Sequence, residues 1–466
     1  MSEKKYKTTG EVYTPNHIVR TVLEQAGYTV GSIRYKHIID NSAGQGAFLI
    51  EIVRRYLNEV LDVDRSIVKG ELETYIHGIE INPESVAILI DSLNYLVADY
   101  GLNEVNWDIL SANTLTVNKF DGKMDFVVGN PPYVRVHNLQ DSYDSVKVLQ
   151  TAQEGMTDLY IVFYEIGLRM LNQTGTLSYI APSSWFTSLA GRNLRTMIAE
   201  TKHLVSVSDL GHYQPFPNIT TYTAVVTINN SVTTDSVEYS RLNENGKYDL
   251  VTNSWEEFTY EGDWYFGDKH DIEIVKNVFS HVSLNNRLRV KNGFATLADK
   301  TFLNTDGLPT DALTIPAIKS TTGEIQRIIY PYTLNGDLLS ESDIKDDPVY
   351  TRLLPHKDQL EKNKPWYGYG RTQALRDVSR EKITLNSTIK DRKTLRLNDA
   401  PAGYGVYGGL YIVGFESPTE KAAILDALDS DEFIHFVSML KKYRRGGYYT
   451  FSSKDAQRYL EYRLGL

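Results

Sequence analysis

The tetrapeptide Asn130-Pro131-Pro132-Tyr133 directly follows the apolar run Phe126-Val127-Val128-Gly129. That run reads as a buried strand, and open α/β sheets bind ligands beyond the carboxyl ends of their strands. Two consecutive prolines stiffen the backbone and remove two N–H donors. What remains is a pair of acceptors, the Asn130 side-chain oxygen and the Pro131 carbonyl. Two rigid acceptors side by side suit an amino group with two hydrogens. The Tyr133 ring adds a flat face on which a base can stack. The plainer reading of the same residues is a rigid turn.

A second group is Asp40-Asn41-Ser42-Ala43-Gly44-Gln45-Gly46-Ala47-Phe48, between a strand pattern and a helix pattern. Its glycines let the chain turn tightly and approach a ligand closely. The spacing is Gly-x-Gly with an acid four residues upstream, not the three-glycine dinucleotide fingerprint. A strand-to-helix turn that needs glycine only for packing would look the same. Glu80 closes the next strand, where a carboxylate can accept hydrogen bonds from ribose hydroxyls. Asp108 ends a weaker third strand and could accept from an adenine amino group. Each acid has a bland alternative as a solvated carboxylate.

These residues need a frame. Residues 37–40, 75–80, 105–109 and 124–128 read as strands, and helical patterns run from Ala47 to about Val60 and onward from Pro83, which suits a first helical turn. A helix over 159–171 and strands over 176–181 and 224–228 continue the alternation. Strands separated by helices predict an α/β, doubly wound, Rossmann-like sheet. The pattern weakens in the polar stretch 231–250, which predicts a boundary between a domain over 1–235 and an α+β domain over 236–466. In the second part, short strands are expected at 325–330, 382–385 and 410–413, with a closing helix over 431–443.

Composition narrows the chemistry. The 466-residue chain has no cysteine, which excludes disulfides, thiol nucleophiles and Cys-based metal sites. Its ten histidines are scattered, and no metal site is expected. No apolar run reaches the roughly 18 residues of a membrane span, and no secretory signal is evident, so a cytoplasmic protein is expected. The net charge of −10 argues against a wholly basic surface. Basic residues nevertheless gather within 351–400 and at Lys441-Lys442-Tyr443-Arg444-Arg445. Several of the 32 tyrosines lie among them, so that cations could meet phosphates while aromatic faces meet bases.

Taken together, these motifs resemble the amino-group DNA methyltransferases of the N6-adenine kind, with cofactor motifs first and the target recognition domain last. The likeness spans about residues 8–230. Residues 8–15 resemble the segment that closes over the cofactor, Asp40 to Phe48 the glycine motif, and Asn130 to Tyr133 the catalytic tetrapeptide. Residues 157–160 and 175–182 resemble later family segments. No Pro or Cys stands near Ser42 or Ala43, where the family often has one.

The resemblance implies S-adenosylmethionine as methyl donor. It implies that Thr8, Tyr13, Thr14, Pro15, Asp40, Ala43, Gly44, Gly46, Glu80, Ile81, Asp108, Ile109 and Asn130 hold it. It also implies that Asn130, Pro131, Pro132 and Tyr133 act on a flipped adenine, with Tyr133 and Phe216 stacking on its two faces. Tyr222 is the alternative second ring. Residues 292–300, 366–371 and 386–388 resemble recognition-domain elements. Arg371, Arg376, Arg392, Lys393, Arg444 and Arg445 are the candidates for contact with double-stranded DNA, most of them at phosphates. A monomer is expected, with a cognate endonuclease, if one exists, acting separately. With only seven residues ahead of Thr8, a fused amino-terminal nuclease is not expected. The competing reading is a methyltransferase for RNA or for a protein glutamine amide, because the tetrapeptide serves those amino groups too.

Overall fold

The computed structural model describes residues 13–136, 143–216, 221–243 and 245–466. Thr8 and residues 217–220, which follow Phe216, lie outside them. The chain divides into two units, Met1–Ile272 and Glu273–Leu466.

In the first unit, α1 (Asn16–Gln25) and β1 (Ile38–Asp40) lead into α2 (Ala47–Glu59) and α3 (Arg65–Tyr75). Then come β2 (Ile76–Glu80), α4 (Pro83–Ala98), β3 (Asp108–Ser111) and β4 (Met124–Gly129). They are followed by α5 (Leu159–Met170), β5 (Leu171–Pro182), α6 (Arg192–Thr201), β6 (Leu204–Asp209) and β7 (Thr223–Asn229). Two further strands, β8 (Ser236–Leu242) and β9 (Tyr248–Ser254), precede a short hairpin, β10 (Thr259–Tyr260) and β11 (Asp263–Trp264).

The nine-stranded sheet has the order β3-β2-β1-β4-β5-β7-β6-β8-β9. Strands β3 through β5 run parallel, and β7 enters antiparallel between β5 and β6. The expected α/β doubly wound sheet is therefore present, as a mixed sheet. The helices form for readable reasons. Asn82 caps α4 by accepting from the Glu84 N–H, Pro83 occupies its first turn, and Val86, Leu89, Leu93 and Val97 bury one face. Phe48, Ile52, Val53 and Tyr56 do the same for α2. One apolar layer joins α1, α2 and α4 to the sheet, and a second is centred on α5. With both faces covered, the central strands can be continuous apolar runs.

Two expectations shift. The first unit does not end at 235, because β8 and β9 extend the same sheet and the unit runs to Ile272. The stretch reads as a boundary in sequence because a strand near the sheet edge buries only alternate residues, here Val237 and Tyr239. The third strand starts at Asp108, not at 105: Val105 and Trp107 are buried ahead of it.

In the second unit, β12 (Arg289–Asn292), β13 (Thr314–Lys319), β14 (Ile325–Ile329) and β15 (Lys382–Leu385) come first. They are followed by β16 (Thr388–Ile389), β17 (Leu397–Ala400), β18 (Gly405–Tyr407) and β19 (Leu410–Val413). Then come α7 (Pro418–Leu428), α8 (Asp431–Met439), β20 (Tyr443–Arg444), β21 (Tyr448–Thr450) and α9 (Ser453–Leu464). The strands make sheets of order β12-β19-β15-β17, β14-β13-β18 and β16-β21-β20. This is the α+β unit expected for the second part. The helix expected over 431–443 stops at Met439, and α9, capped by Ser452, closes the chain instead. Among the described residues no helix is long and apolar enough to cross a membrane.

Candidate active site

The carboxyl ends of β1, β2 and β4 lie side by side, with Asp40 level with Gly78 and Val128. From these ends the chain makes one concave site of about 480 Å³. Its walls include Asp40, Ala43, Gly44, Glu80 and Ile81 from the first two strand ends, and Asn130 and Pro132 from the fourth. The glycine turn and the tetrapeptide therefore share one cleft, within the range of size typical for small-molecule sites.

The turn is held by its acids. Asp40 is 1% exposed, and its Oδ1 accepts from the Ser42 N–H at 3.0 Å. Burial pushes its carboxyl up to about 7, and the nearby Glu80 charge adds to the rise. Glu80 accepts from the Gly44 N–H at 2.9 Å through Oε2 and from the Asn82 N–H at 2.8 Å through Oε1. Gly46 has φ 94°, and a Cβ there would come within 2.3 Å of Leu89 Cδ1 on α4, so this turn admits no larger residue without repacking. Gly129 has φ 153°, and its Cβ would sit 2.7 Å from Asp40 Oδ1. The absence of a side chain lets β4 end against the Asp40 carboxyl.

Asn130 donates from Nδ2 to the Thr14 hydroxyl at 3.1 Å, and the Ser42 hydroxyl donates to the Asn130 carbonyl at 3.3 Å. Asn130 Oδ1 is buried and has no hydrogen-bond partner among the described residues. A buried acceptor left unpaired costs about 1–3 kcal/mol, so its persistence at a cleft wall marks a place for a donor that arrives from outside. Tyr133 is half-buried. Its ring meets Tyr160 and Phe216 edge-on, each at 6.1 Å, and its hydroxyl reaches the Ile180 carbonyl at 3.4 Å.

Other expected residues fall in different places. Tyr13 and Thr14 line the cleft, whereas Pro15 and Gly46 do not; Pro15 instead caps the start of α1. Phe216 is 2% exposed and lies 75° from the plane of Tyr133, so the two rings as they stand leave no parallel-sided slot for a base. Tyr222 has a buried hydroxyl and packs edge-on against His212.

Asp108 and Ile109 do not line the cleft. Because β3 begins at Asp108, that carboxylate lies at the amino end of the strand, level with His77, and lines no part of the cleft. It binds His77 Nδ1 at 2.8 Å and Lys119 Nζ at 2.5 Å. Burial would raise the Asp108 carboxyl, but the hydrogen bonds from Lys119 and His77 outweigh it and hold it below the ordinary carboxylate range.

Past the carboxyl end of β3, Asn113, Thr114 and Leu115 reach the cleft instead. Sequence reasoning also passed over Asn41. It is fully buried, accepts from the Tyr179 hydroxyl at 2.9 Å, and its carbonyl accepts from the Thr114 hydroxyl at 2.6 Å. It thereby ties the end of β1 to the turn after β3. A polar side chain inside a motif that directly follows a buried strand was the available signal.

In the second unit, Arg371, Arg376, Lys393, Arg444 and Arg445 are exposed, whereas Arg392 is engaged by Asp429 at 3.0 Å. Only some of the rings among the basic residues offer a free face: Tyr448 is half-exposed. Trp366, Tyr367 and Tyr369 are buried, and the Tyr369 hydroxyl donates to the Ile329 carbonyl at 2.6 Å. Tyr443 and Tyr449 are buried as well.

Residues 74–216 match the family model of the Eco57I restriction-modification methylases. The chain is 26% identical over 435 residues to the Type II methyltransferase M.BstVI of Geobacillus stearothermophilus, covering 82% of this chain and 76% of that one. It is 23% identical over 516 residues to the Type II restriction enzyme and methyltransferase RM.Eco57I of Escherichia coli, covering 85% of this chain and 51% of that one. The chain thus spans about half the length of this second relative. Among solved structures, the Type IIL restriction-modification enzyme MmeI in complex with DNA superposes with a TM-score of 0.67 at 12% identity, over 97% of this chain and 68% of that one. The Type ISP enzyme LlaGI, in complex with a DNA substrate mimic, gives 0.55 at 13% identity, over 97% and 46%. At these identities the structural likeness speaks for the fold.

Proposed function

We propose that this restriction-modification methylase transfers a methyl group from S-adenosylmethionine to the N6 amino group of adenine in double-stranded DNA, after the base is flipped from the helix. The observation that carries the reading is the unpaired Asn130 Oδ1 in the wall of the cleft that also holds Asp40 and Glu80.

The residues present fit the cofactor. Glu80 would accept from the ribose hydroxyls, Asn113 and Leu115 would hold the adenine ring, and Tyr13, Thr14 and Ile81 would close around it; all six line the cleft. When bound, S-adenosylmethionine supplies a methyl group activated by its sulfonium. The chain's own residues do the rest. The lone pair of an adenine amino group is delocalised into the ring, which makes it a poor nucleophile. Asn130 Oδ1 and the Pro131 carbonyl accept the two amino hydrogens and favour a pyramidal nitrogen with its lone pair directed into the cleft. Thr14 keeps the Asn130 amide in the orientation that presents Oδ1. Such acceptors act through preorganisation, and much of the acceleration comes from positioning. Tyr133 supplies a stacking face for the extruded base. The exposed cations of the second unit hold the duplex, most of them at phosphates. The protein works as a monomer in the cytoplasm, and any cognate endonuclease acts separately.

Incubation with tritiated cofactor and duplexes that contain or lack adenine, beside tRNA, ribosomal RNA and protein substrates, tests the reading. Label in N6-methyladenine of duplex DNA is the expected result. Label confined to RNA or to a glutamine amide would replace it.

A further inference from the structure

The small sheet β16-β21-β20 brings together two strongly basic segments that lie about fifty residues apart in sequence. Residues 388–396 and 441–450 together hold eight basic residues, Lys390, Arg392, Lys393, Arg396, Lys441, Lys442, Arg444 and Arg445, with Asp391 as the single carboxylate. In a chain of net charge −10 this is a strong local reversal.

The register decides which way these residues face. Ile389 pairs with Tyr449, and Tyr449 with Tyr443; all three are buried. The period of two along each strand sends the next residues to the opposite face. Arg444 pairs with Tyr448, and Lys390 follows Ile389 one step further along that row. Lys390 and Arg444 are exposed and Tyr448 is half-exposed between them. The outward face is therefore a cation, an aromatic ring and a cation across three strands. It is continued by Arg445 and by Gly446 and Gly447, with φ of 81° and 84°, at the tip of the β20–β21 hairpin.

Several cations of this unit are committed to carboxylates. Arg287 is held by Glu420, Lys291 by Asp377, Lys421 by Glu381, Lys442 by Asp455 and Arg392 by Asp429. Arg444 and Arg445 form no ion pair with any described residue.

We infer that this outward face and hairpin tip are a docking surface for the sugar-phosphate backbone of duplex DNA. Arg444, Arg445, Lys390 and Lys393 meet phosphates, and Tyr448 packs on the sugars between them. This rests on the DNA reading above and deepens it by naming the surface. Two adjacent arginines at the hairpin tip, with no carboxylate partner among the described residues and with Lys390 and Lys393 exposed on the neighbouring segment, match a run of phosphates better than a single anion. Each phosphate neutralised releases condensed counterions, so each contact adds about 0.9 to the salt slope of the binding constant.

The test uses the full chain with a fluorescent duplex, titrated over a range of salt. Arg444→Gln together with Arg445→Gln is expected to reduce the salt slope by about 2. It should raise KM for DNA while leaving kcat at saturating DNA, cofactor affinity and Tm unchanged. Replacing both by Lys should restore the slope. If the double Gln variant does not fold, Lys390→Gln with Lys393→Gln reads the same surface from the neighbouring strand. A folded variant with unchanged slope and affinity overturns the proposal, as does a loss confined to duplex RNA. A wild-type chain that binds duplexes through these residues yet methylates no DNA would sink the proposed function and leave this surface standing.

Discussion

Thr14 and Asn130, 116 residues apart, meet at 3.1 Å, with the amide donating to the hydroxyl. An amide has one donor end and one acceptor end. By taking the donor end, Thr14 leaves Oδ1 as the group presented to the cleft. The segment ahead of α1 thus reaches the Asn130 tetrapeptide as well as lining the cleft.

Replacing Asn130 should separate chemistry from cofactor binding. Asn130→Ala is expected to lower turnover roughly 10²–10³-fold, the usual cost of removing one preorganised group, with cofactor affinity little changed. Thr14→Val should be milder, roughly 5-fold, since it removes one neutral hydrogen bond of about 1 kcal/mol that only orients the amide. Single-turnover methyl transfer and calorimetric cofactor titration check both. Loss of cofactor binding in Asn130→Ala would move Asn130 out of its assigned role.

Asp40 should leave a signature in stability against pH. Its folded carboxyl titrates at about 7 because it is buried, whereas in the unfolded chain it titrates near the ordinary ~3.9. Between these values the folded state keeps a proton that the unfolded state has released. Stability from this group is therefore complete at low pH and is lost as pH rises to about 7, with a slope of at most ~1.4 kcal/mol per pH unit. Asp40→Asn removes the dependence. Urea unfolding without cofactor should show the variant gaining on the wild type from about pH 4 to pH 7 and by a constant margin above. A difference independent of pH would mean that the buried carboxyl is already ionised.

The turn after β3 and the start of β3 should behave oppositely. Asn113→Ala is expected to weaken cofactor binding by roughly 5–10-fold, equivalent to about one hydrogen bond. Asp108→Asn should leave that affinity unchanged while lowering Tm, because its partners are His77 and Lys119 at the far end of the strand. Isothermal titration and thermal melts of the two variants decide it. The reverse pattern would restore Asp108 to the cofactor site.

The same pair shows what could be read from sequence. The turn after β1 and the tetrapeptide after β4 were legible because each joins an apolar strand to residues of unusual backbone chemistry, glycine in one and proline in the other. Strand β3 lies at the sheet edge and is half-exposed, so it carries no apolar signature. The buried Val105 and Trp107 mimic one, which sets Asp108 at the strand's carboxyl end in sequence whereas it stands at the amino end in the structure. Strands β8 and β9 lie where the sequence predicts a domain boundary for a related reason, since only alternate residues need be apolar. The aromatic residues at 366–369 are core although basic residues flank them, because residue type carries no information on direction; Tyr448, in a similar setting, is half-exposed. Arg392 looked equivalent to Arg444 in sequence, and only the proximity of Asp429 separates them.

Tyr133 provides a test of ring against hydroxyl. Its hydroxyl reaches the Ile180 carbonyl at a long 3.4 Å, whereas its ring packs edge-on against both Tyr160 and Phe216. Removing the hydroxyl should therefore cost little, and removing the ring should cost the stacking face, worth about 1–3 kcal/mol per base. Tyr133→Phe is expected to keep kcat/KM within about 3-fold of wild type, within a hydrogen bond's typical worth. Tyr133→Ala should lower it by roughly 10–100-fold. Fluorescence of 2-aminopurine at the target position separates causes: an extruded base without its stacking partner should fluoresce more strongly in Tyr133→Ala than in Tyr133→Phe. Equal losses in the two variants would assign the work to the hydroxyl and leave the flipped base without its platform.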